Sequence, residues 1–318
     1  MRIANLDTAS GFRLAAITGG FAVDLNRAVQ LSLREDSPTR LGLRAQSEAI
    51  MPSTISAWLA LDAEIRMRKA TESLALGSQL LSDRGARWGA THQLAFPSDS
   101  VVLGPPIAEH ASVFAIGLNF ADHASEADLK LPEYPVVFTK PATTLGGHDG
   151  VVRIPPSTFR IDYEGEVVII IGETCRNVSE SSALDYVAGY TLANDVSARD
   201  WQFRTSEMMI GKAFDGFCPM GPWLVTASQV PDPSQLTFET SVNGDPRQNG
   251  KLTGLVFSVA KLISYLSQAV TLQPGDAILT GTPAGIGATR ASGKWLKPGD
   301  KVTISSPQLG ELTTTFAQ

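Results

Sequence analysis

Apolar positions along the chain follow two different periods. Up to about residue 25, short stretches alternate apolar and polar residues and predict strands ending at Val23-Asp24-Leu25, since side chains two apart share one face of a strand. From 53 to about 82 the period lengthens. Ile55, Trp58, Leu59, Ile65 and Leu74 recur at roughly helical spacing, with Ser53 standing where an N-cap belongs. Gly-Pro-Pro at 104–106 then interrupts the chain. Beyond it the runs are short and β-like: Val113–Ile116, Val136–Phe138, Glu166–Ile171, Thr237–Val242, Ala277–Leu279 and Lys301–Ser305. Asn243-Gly244-Asp245, Pro274-Gly275-Asp276 and Pro298-Gly299-Asp300 supply turns between them. Helical patterns appear at Ser181–Ala188 and Val259–Gln268.

This pattern predicts an α+β, β-rich chain with an N-terminal α/β domain over 1–105 and a larger domain over 106–318. Many strands with few crossover helices argue for a mixed or antiparallel architecture, against the regular alternation of a Rossmann fold or a TIM barrel.

Composition narrows the possible partners. The 318 residues are 43% hydrophobic and 18% charged, a globular balance. The net charge is −6 and no Lys/Arg block stands out, so a nucleic-acid partner is not expected. An anionic substrate would have to be drawn in by a local cation. Two cysteines, Cys175 and Cys218, are too few for a disulfide framework and read as reduced thiols of a cytoplasmic protein. Met1–Ser10 reads as a strand, not a signal peptide. The longest aliphatic run, Val167–Ile171, is far short of a membrane span, so no membrane is expected.

The densest candidate chemistry is Asp162-Tyr163-Glu164-Gly165-Glu166, running directly into that aliphatic strand. Glu164 and Glu166 would project side by side, and two carboxylates beside apolar surface repel unless protonated or bridged by a cation. Asp195 lies in a second polar island, Asn194 to Asp200. Three carboxylates without a nearby Cys or His favour a hard cation, Mg²⁺ or Mn²⁺. Taken alone, a Glu-x-Glu pair is more often a solvated face, and Asp162 and Asp200 read as ordinary turn or surface acids.

Of four histidines, His92, His110 and His148 lack obvious company. His123 follows an apolar strand, and in a helical turn Glu126 would be its i,i+3 neighbour. Such a carboxylate can hold an imidazole in one tautomer as a general base. A surface His–Glu pair explains the same spacing.

Several segments together resemble the fumarylacetoacetate hydrolase superfamily, in particular its long-chain branch, which includes the domain-containing-protein-2 type and diketo-deoxy-sugar-acid hydrolases. They are IGLNFADHASE (116–126), PVVFTKP (135–141), DYEGEVVIIIG (162–172), AGYTLANDVSARDWQ (188–202), GKAFDGFCPMGP (211–222), VNGDPRQ (242–248) and PGDAILTGTPAGIG (274–287). The resemblance implies a mixed β-roll or sandwich core, a homodimer, and Mg²⁺ or Mn²⁺ on Glu164, Glu166 and Asp195. It further implies a His123–Glu126 base dyad and Lys212 near the reacting oxygens. Arg199 and Gln202 would line the substrate pocket, and Thr282 would touch the substrate carboxylate. Lys140 is either a near-site residue or a strand-end lysine on the surface. Phe120 stands where relatives often carry Tyr, and the 202–211 stretch is short.

The activity implied is hydrolysis of a carbon–carbon bond in a small anionic 2-oxo acid, an acylpyruvate or other 1,3-dicarbonyl. Decarboxylation or tautomerisation of an oxaloacetate-like acid would use the same site. A non-catalytic binding protein is the reading from another class. The glycine-rich 281–287 loop lacks Gly-Lys-Ser/Thr and a βα context, so no nucleotide site is expected there.

Overall fold

The aliphatic run Val167–Ile171 falls in the strand Gly165–Ile171, all of whose residues are buried. A strand buried on both faces needs a layer on each side. Val167, Ile169 and Ile171 join one core with Leu192, Phe238, Ile304 and Leu312. Val168 and Ile170 face a second with Leu14, Leu25, Trp58 and Leu59. The computed structural model describes residues 1–36, 42–290 and 294–318.

This strand sits within a 12-stranded sheet. From one edge the main path runs Ala95–Pro97, Phe21–Asp24, Gly11–Thr18, Arg2–Thr8, Cys218–Thr226, Val187–Asn194, Gly165–Ile171, Ala277–Leu279, Val113–Gly117 and Val136–Lys140. Most neighbours are antiparallel, but Ala277–Leu279 runs parallel to Val113–Gly117. A five-stranded sheet of Asp245–Lys251, Thr237–Val242, Lys301–Ser306, Gly310–Ala317 and Gly150–Arg153 covers the first core. The helix Val259–Ala269 completes that layer. Ser258 caps it by accepting from the Lys261 N–H, and Val259, Leu262, Ile263 and Leu266 form its buried stripe. The architecture is the mixed, β-rich α+β arrangement expected.

The second core is roofed by N-terminal helices, with Leu25 and Val29 from Leu25–Asp36 and Ile55, Trp58 and Leu59 from Ile55–Leu59. Residues ahead of 105 also extend the main sheet, because Arg2 and Ile3 pair with Val225 and Leu224. Among the described residues no helix is long and apolar enough to cross a membrane.

Several local expectations are corrected. The 53–82 stretch is two helices, Ile55–Leu59 and Ala63–Arg84, and their caps are Thr54 and Asp62 rather than Ser53. The side chains of Thr54 and Asp62 reach the free N–H groups of the first turn, and Asp62 starts the second helix afresh. Helices Leu25–Asp36 and Leu43–Ile50 were not foreseen, although Leu25, Ala28 and Val29 carry i,i+3,i+4 spacing. The 181–188 stretch is a 3₁₀ segment, Glu180–Tyr186, and Ala188 already belongs to the strand Val187–Asn194.

Candidate active site

Strand pairing assembles the carboxylates. In the antiparallel register Gly165 faces Asn194 and Glu166 faces Ala193, so the start of one strand meets the end of its neighbour. Glu164 and Asp195 sit just beyond those ends, tied by Asp195 N–H to Glu164 C=O at 2.8 Å. The Asn194 side chain accepts from the Glu164 N–H. Glu166 is 1% and Asp195 0% exposed, and one ligand atom from each of Glu164, Glu166 and Asp195 lies within 4.8 Å of the others.

Two ammonium groups enter this cluster. Lys212 donates to Glu164 Oε2 at 2.7 Å and Asp195 Oδ2 at 2.6 Å. Lys140 donates to Asp195 Oδ1 and to the Lys212 carbonyl, and it is buried, so the surface alternative does not hold. Arg199 reaches Glu164 at 2.7 Å and Asp162 at 2.9 Å and donates to Gln202 Oε1 at 2.8 Å. Asp162 is no surface acid. It is fully buried and also accepts from the Gly287 and Ala288 N–H groups, tying the 281–289 loop to the site. Asp200 is half-buried and takes the Thr158 hydroxyl.

The charges shift accordingly. Burial opposes ionisation of Glu164, but Lys212, Arg199 and His123 hold its carboxyl down to about 2. Burial and the neighbouring Asp195 and Glu164 charges push Glu166 well above the usual carboxylate range. Lys212 stays above its ordinary value because Asp195 and Glu164 outweigh the effect of burial. Glu166 is therefore the crowded member, with a single backbone partner, the Gly281 N–H. Its other oxygen, together with the remaining lone pairs of Glu164 and Asp195, offers an all-oxygen donor set. That set fits a divalent cation, which would relieve the crowding at Glu166.

The 280–289 loop closes the other side. Thr280 N–H bonds Val167 C=O, and Gly281 turns the chain at a φ of 99° that favours glycine. A Cβ on Gly287 would meet Asp162 Oδ1 at 2.6 Å, so the glycines serve close packing rather than a nucleotide. Thr282 gives its hydroxyl proton to Gly165 C=O and accepts from Gln248, leaving no proton for a substrate carboxylate in this geometry. Gln248, not foreseen, also binds the Gly165 N–H and the Pro283 carbonyl, bracing strand and loop. Asn119, likewise unforeseen, binds Phe257 and Thr280. Both lie inside segments that carry the resemblance, but their buried position was not readable from spacing.

His123 lies in the helix Ala121–Glu126, and its Nδ1 is buried without a partner. Burial lowers its pKa below the ordinary imidazole value, and Arg199 works in the same direction. The structure does not bring Glu126 onto the imidazole. Glu126 is exposed and accepts from the Gly285 N–H at 2.9 Å. Phe120 points into the core against Phe238, away from the cavity. His92 stacks on Trp88 and His148 binds the Thr313 N–H, both outside the site.

A cavity of about 320 Å³ opens above the cluster, lined by His123, Glu164, Arg199, Gln202, Lys212 and Thr282 among others. Lys140 is not among its lining residues and sits behind Asp195. The cavity meets the carboxylate cluster at Glu164 and brings to it an imidazole that burial favours in its neutral form and the fixed cationic donors Lys212 and Arg199, a set suited to stabilising an enolate.

Residues 112–317 match the family model described as fumarylacetoacetate (FAA) hydrolase, C-terminal. A Burkholderia lata protein provisionally named a hydrolase is 43% identical over 79% of this chain and 91% of its own length. The solved structure of a fumarylacetoacetate hydrolase from psychrophilic Exiguobacterium antarcticum superposes with a TM-score of 0.75 at 29% identity, covering 100% of this chain and 99% of that one. A 5-carboxymethyl-2-hydroxymuconate delta-isomerase from Mycobacterium smegmatis gives 0.69 at 29% identity, covering 100% and 98%.

Proposed function

The chain belongs to the fumarylacetoacetate hydrolase family, and from that premise we propose that it hydrolyses the carbon–carbon bond of an acylpyruvate, a 2,4-dioxo acid, with Mg²⁺ or Mn²⁺ on Glu164, Glu166 and Asp195. The observation that carries this reading is a cavity lined by both Glu164, one of three clustered buried carboxylates, and His123, whose buried Nδ1 has no partner. A divalent ion held there supplies Lewis acidity toward the substrate's carboxylate and 2-oxo oxygens.

The protein's own groups account for the remaining roles. Neutral His123 takes a proton from water, whose oxygen attacks the distal acyl carbon. The bond between that carbon and the adjacent methylene breaks, and its electron pair stays on the methylene as an enolate. Protonation of the enolate gives pyruvate, and the acyl group leaves as a carboxylate. Lys212 has one N–H beyond those given to Glu164 and Asp195, so it can donate to the enolate oxygen. Arg199 and Gln202 orient the head of the substrate. Their mutual bond and the Arg199–Asp162 pair fix that orientation.

Decarboxylation or tautomerisation needs the enolate stabilisation without the attacking water. Product analysis over acylpyruvates, diketo sugar acids and oxaloacetate, with Mg²⁺ or Mn²⁺ and with EDTA, separates these reactions. Hydrolysis is expected for acylpyruvates, lost in EDTA and restored by metal. Full turnover in EDTA, or turnover of oxaloacetate alone, would defeat the proposal.

A further inference from the structure

The cavity is polar at its floor and apolar on its walls. Beyond the groups that face the cluster, the wall is mostly apolar, with Leu118, Leu129, Phe138, Phe203, Met208 and Ile286, and Thr289 adds one uncharged polar side chain. Phe203 is 71% and Leu129 51% exposed, so the mouth presents apolar surface to water when empty. Burying that surface against an apolar ligand is favourable, and burying it against a charged one is not.

The cations decide the matter. Among the described residues lining the cavity, the permanent cations are Lys212 and Arg199. Both lie on the floor and both are committed, Lys212 to Glu164 and Asp195, Arg199 to Glu164 and Asp162. Arg204, next to Phe203, turns aside to lie over Trp201 at 3.7 Å and to bond the Asp200 carbonyl. A carboxylate at the far end of a substrate would therefore leave water without meeting an unpaired cation on the wall.

We infer that the group beyond the dioxo-acid head is an uncharged alkyl or aryl chain, so that the substrate is a monocarboxylic acylpyruvate rather than a dicarboxylic acid or a sugar acid. The inference rests on the proposed seating of a 2-oxo acid head at the carboxylate cluster. It sets this chain apart from the similar structures whose names specify fumarylacetoacetate and a carboxymethyl-substituted muconate.

The test compares kcat/KM of the Mg²⁺-loaded protein for acetylpyruvate, 4-methylpentanoylpyruvate and succinylpyruvate. The last two match in size and differ in ending on an isopropyl group or a carboxylate. Each methylene buried on the wall is expected to raise kcat/KM about fourfold, and succinylpyruvate should fall at least about 10²-fold below its isopropyl counterpart. Phe203→Arg, which places a free cation at the mouth, should narrow that gap by about tenfold or more. The same order is expected in the Kd of N-alkyl oxamates carrying the two tails, which keep the head group and do not depend on turnover. Succinylpyruvate cleaved as well as its counterpart, or a carboxylated oxamate bound as tightly, overturns the inference while leaving the hydrolase proposal intact. Oxamates bound in the expected order without cleavage of any acylpyruvate would support an uncharged tail at this wall and defeat the acylpyruvate hydrolase proposal instead.

Discussion

At the scale of the residue, burial drives Glu166 and His123 alike toward their neutral forms, which moves their pKa values in opposite directions. Burial and like charges raise the Glu166 carboxyl. Above the unfolded carboxylate value the folded protein binds the extra proton, so metal-free stability falls as pH rises toward the raised pKa. Glu166→Gln removes that penalty, and its melting temperature in EDTA should exceed the parent's. The same change should shrink the rise produced by Mg²⁺, which for a functional site is about 2.7 kcal/mol at a metal concentration 100 times Kd. Melting curves with and without Mg²⁺ check both halves. The His123 pKa moves down instead, again toward the neutral form. The base acts when deprotonated, so kcat/KM for hydrolysis should fall as pH drops through a pKa below the ordinary imidazole value. His123→Ala should cost about 10²–10⁴-fold in kcat and abolish that acid limb, and a pH–rate profile that keeps the limb would place the base elsewhere. Neither role could be weighed from spacing, because burial is a property of the folded environment.

At the scale of the element, the short helix Ala121–Glu126 is held by its last residue to a loop distant in sequence, through Glu126 Oε2 and the Gly285 N–H. Glu126 thus fixes the helix that carries His123 against the loop that carries Thr282 and Ile286. Glu126→Gln keeps an acceptor for the Gly285 N–H, whereas Glu126→Ala does not. An exposed hydrogen bond to a charged acceptor contributes about 1 kcal/mol, close to fivefold. Glu126→Ala should raise KM by about that factor with kcat nearly unchanged, and Glu126→Gln should remain near the parent. A large kcat loss in both variants would instead show that Glu126 orients the imidazole. The i,i+3 spacing suggested a pair on one helix face and had no access to the rival partner across the fold.

At the scale of the whole molecule, the sheet that positions the carboxylates is shared by both ends of the chain. Val168 and Ile170, on the same side of their strand as Glu166, pack in a core with Trp58, Leu59, Leu25 and Leu14. Trp58 is fully buried and its indole N–H donates to the Arg66 carbonyl. Trp58→Ala should cost about 3–5 kcal/mol, visible as a lower melting temperature with a single transition. A chain of residues 106–318 would expose Val168, Ile170 and Leu224 and the free edge of Cys218–Thr226. Calorimetry on that fragment should show no cooperative transition. A sharp transition would mean that the N-terminal part is dispensable for folding.

Much of this was already written in the order of residues. The uninterrupted run Val167–Ile171 demanded a strand covered on both faces, and the turn triplets placed strands around it, because periodicity and turn chemistry are local. Glu164, Glu166, Asp195, Arg199 and Lys212 were identifiable through the segments that hold them, and Glu164-x-Glu166 shares a face for the same local reason. Tertiary structure alone decided the rest. It buried Asp162 beside Arg199 and put Lys140 behind Asp195. Glu126 went to Gly285 rather than His123, and the proton of Thr282 went to Gly165. Each of these outcomes is a choice among partners far apart in the chain. Sequence spacing reports which side chains can share a face, whereas the partner of a buried polar group depends on which distant atoms packing brings within about 3 Å of it.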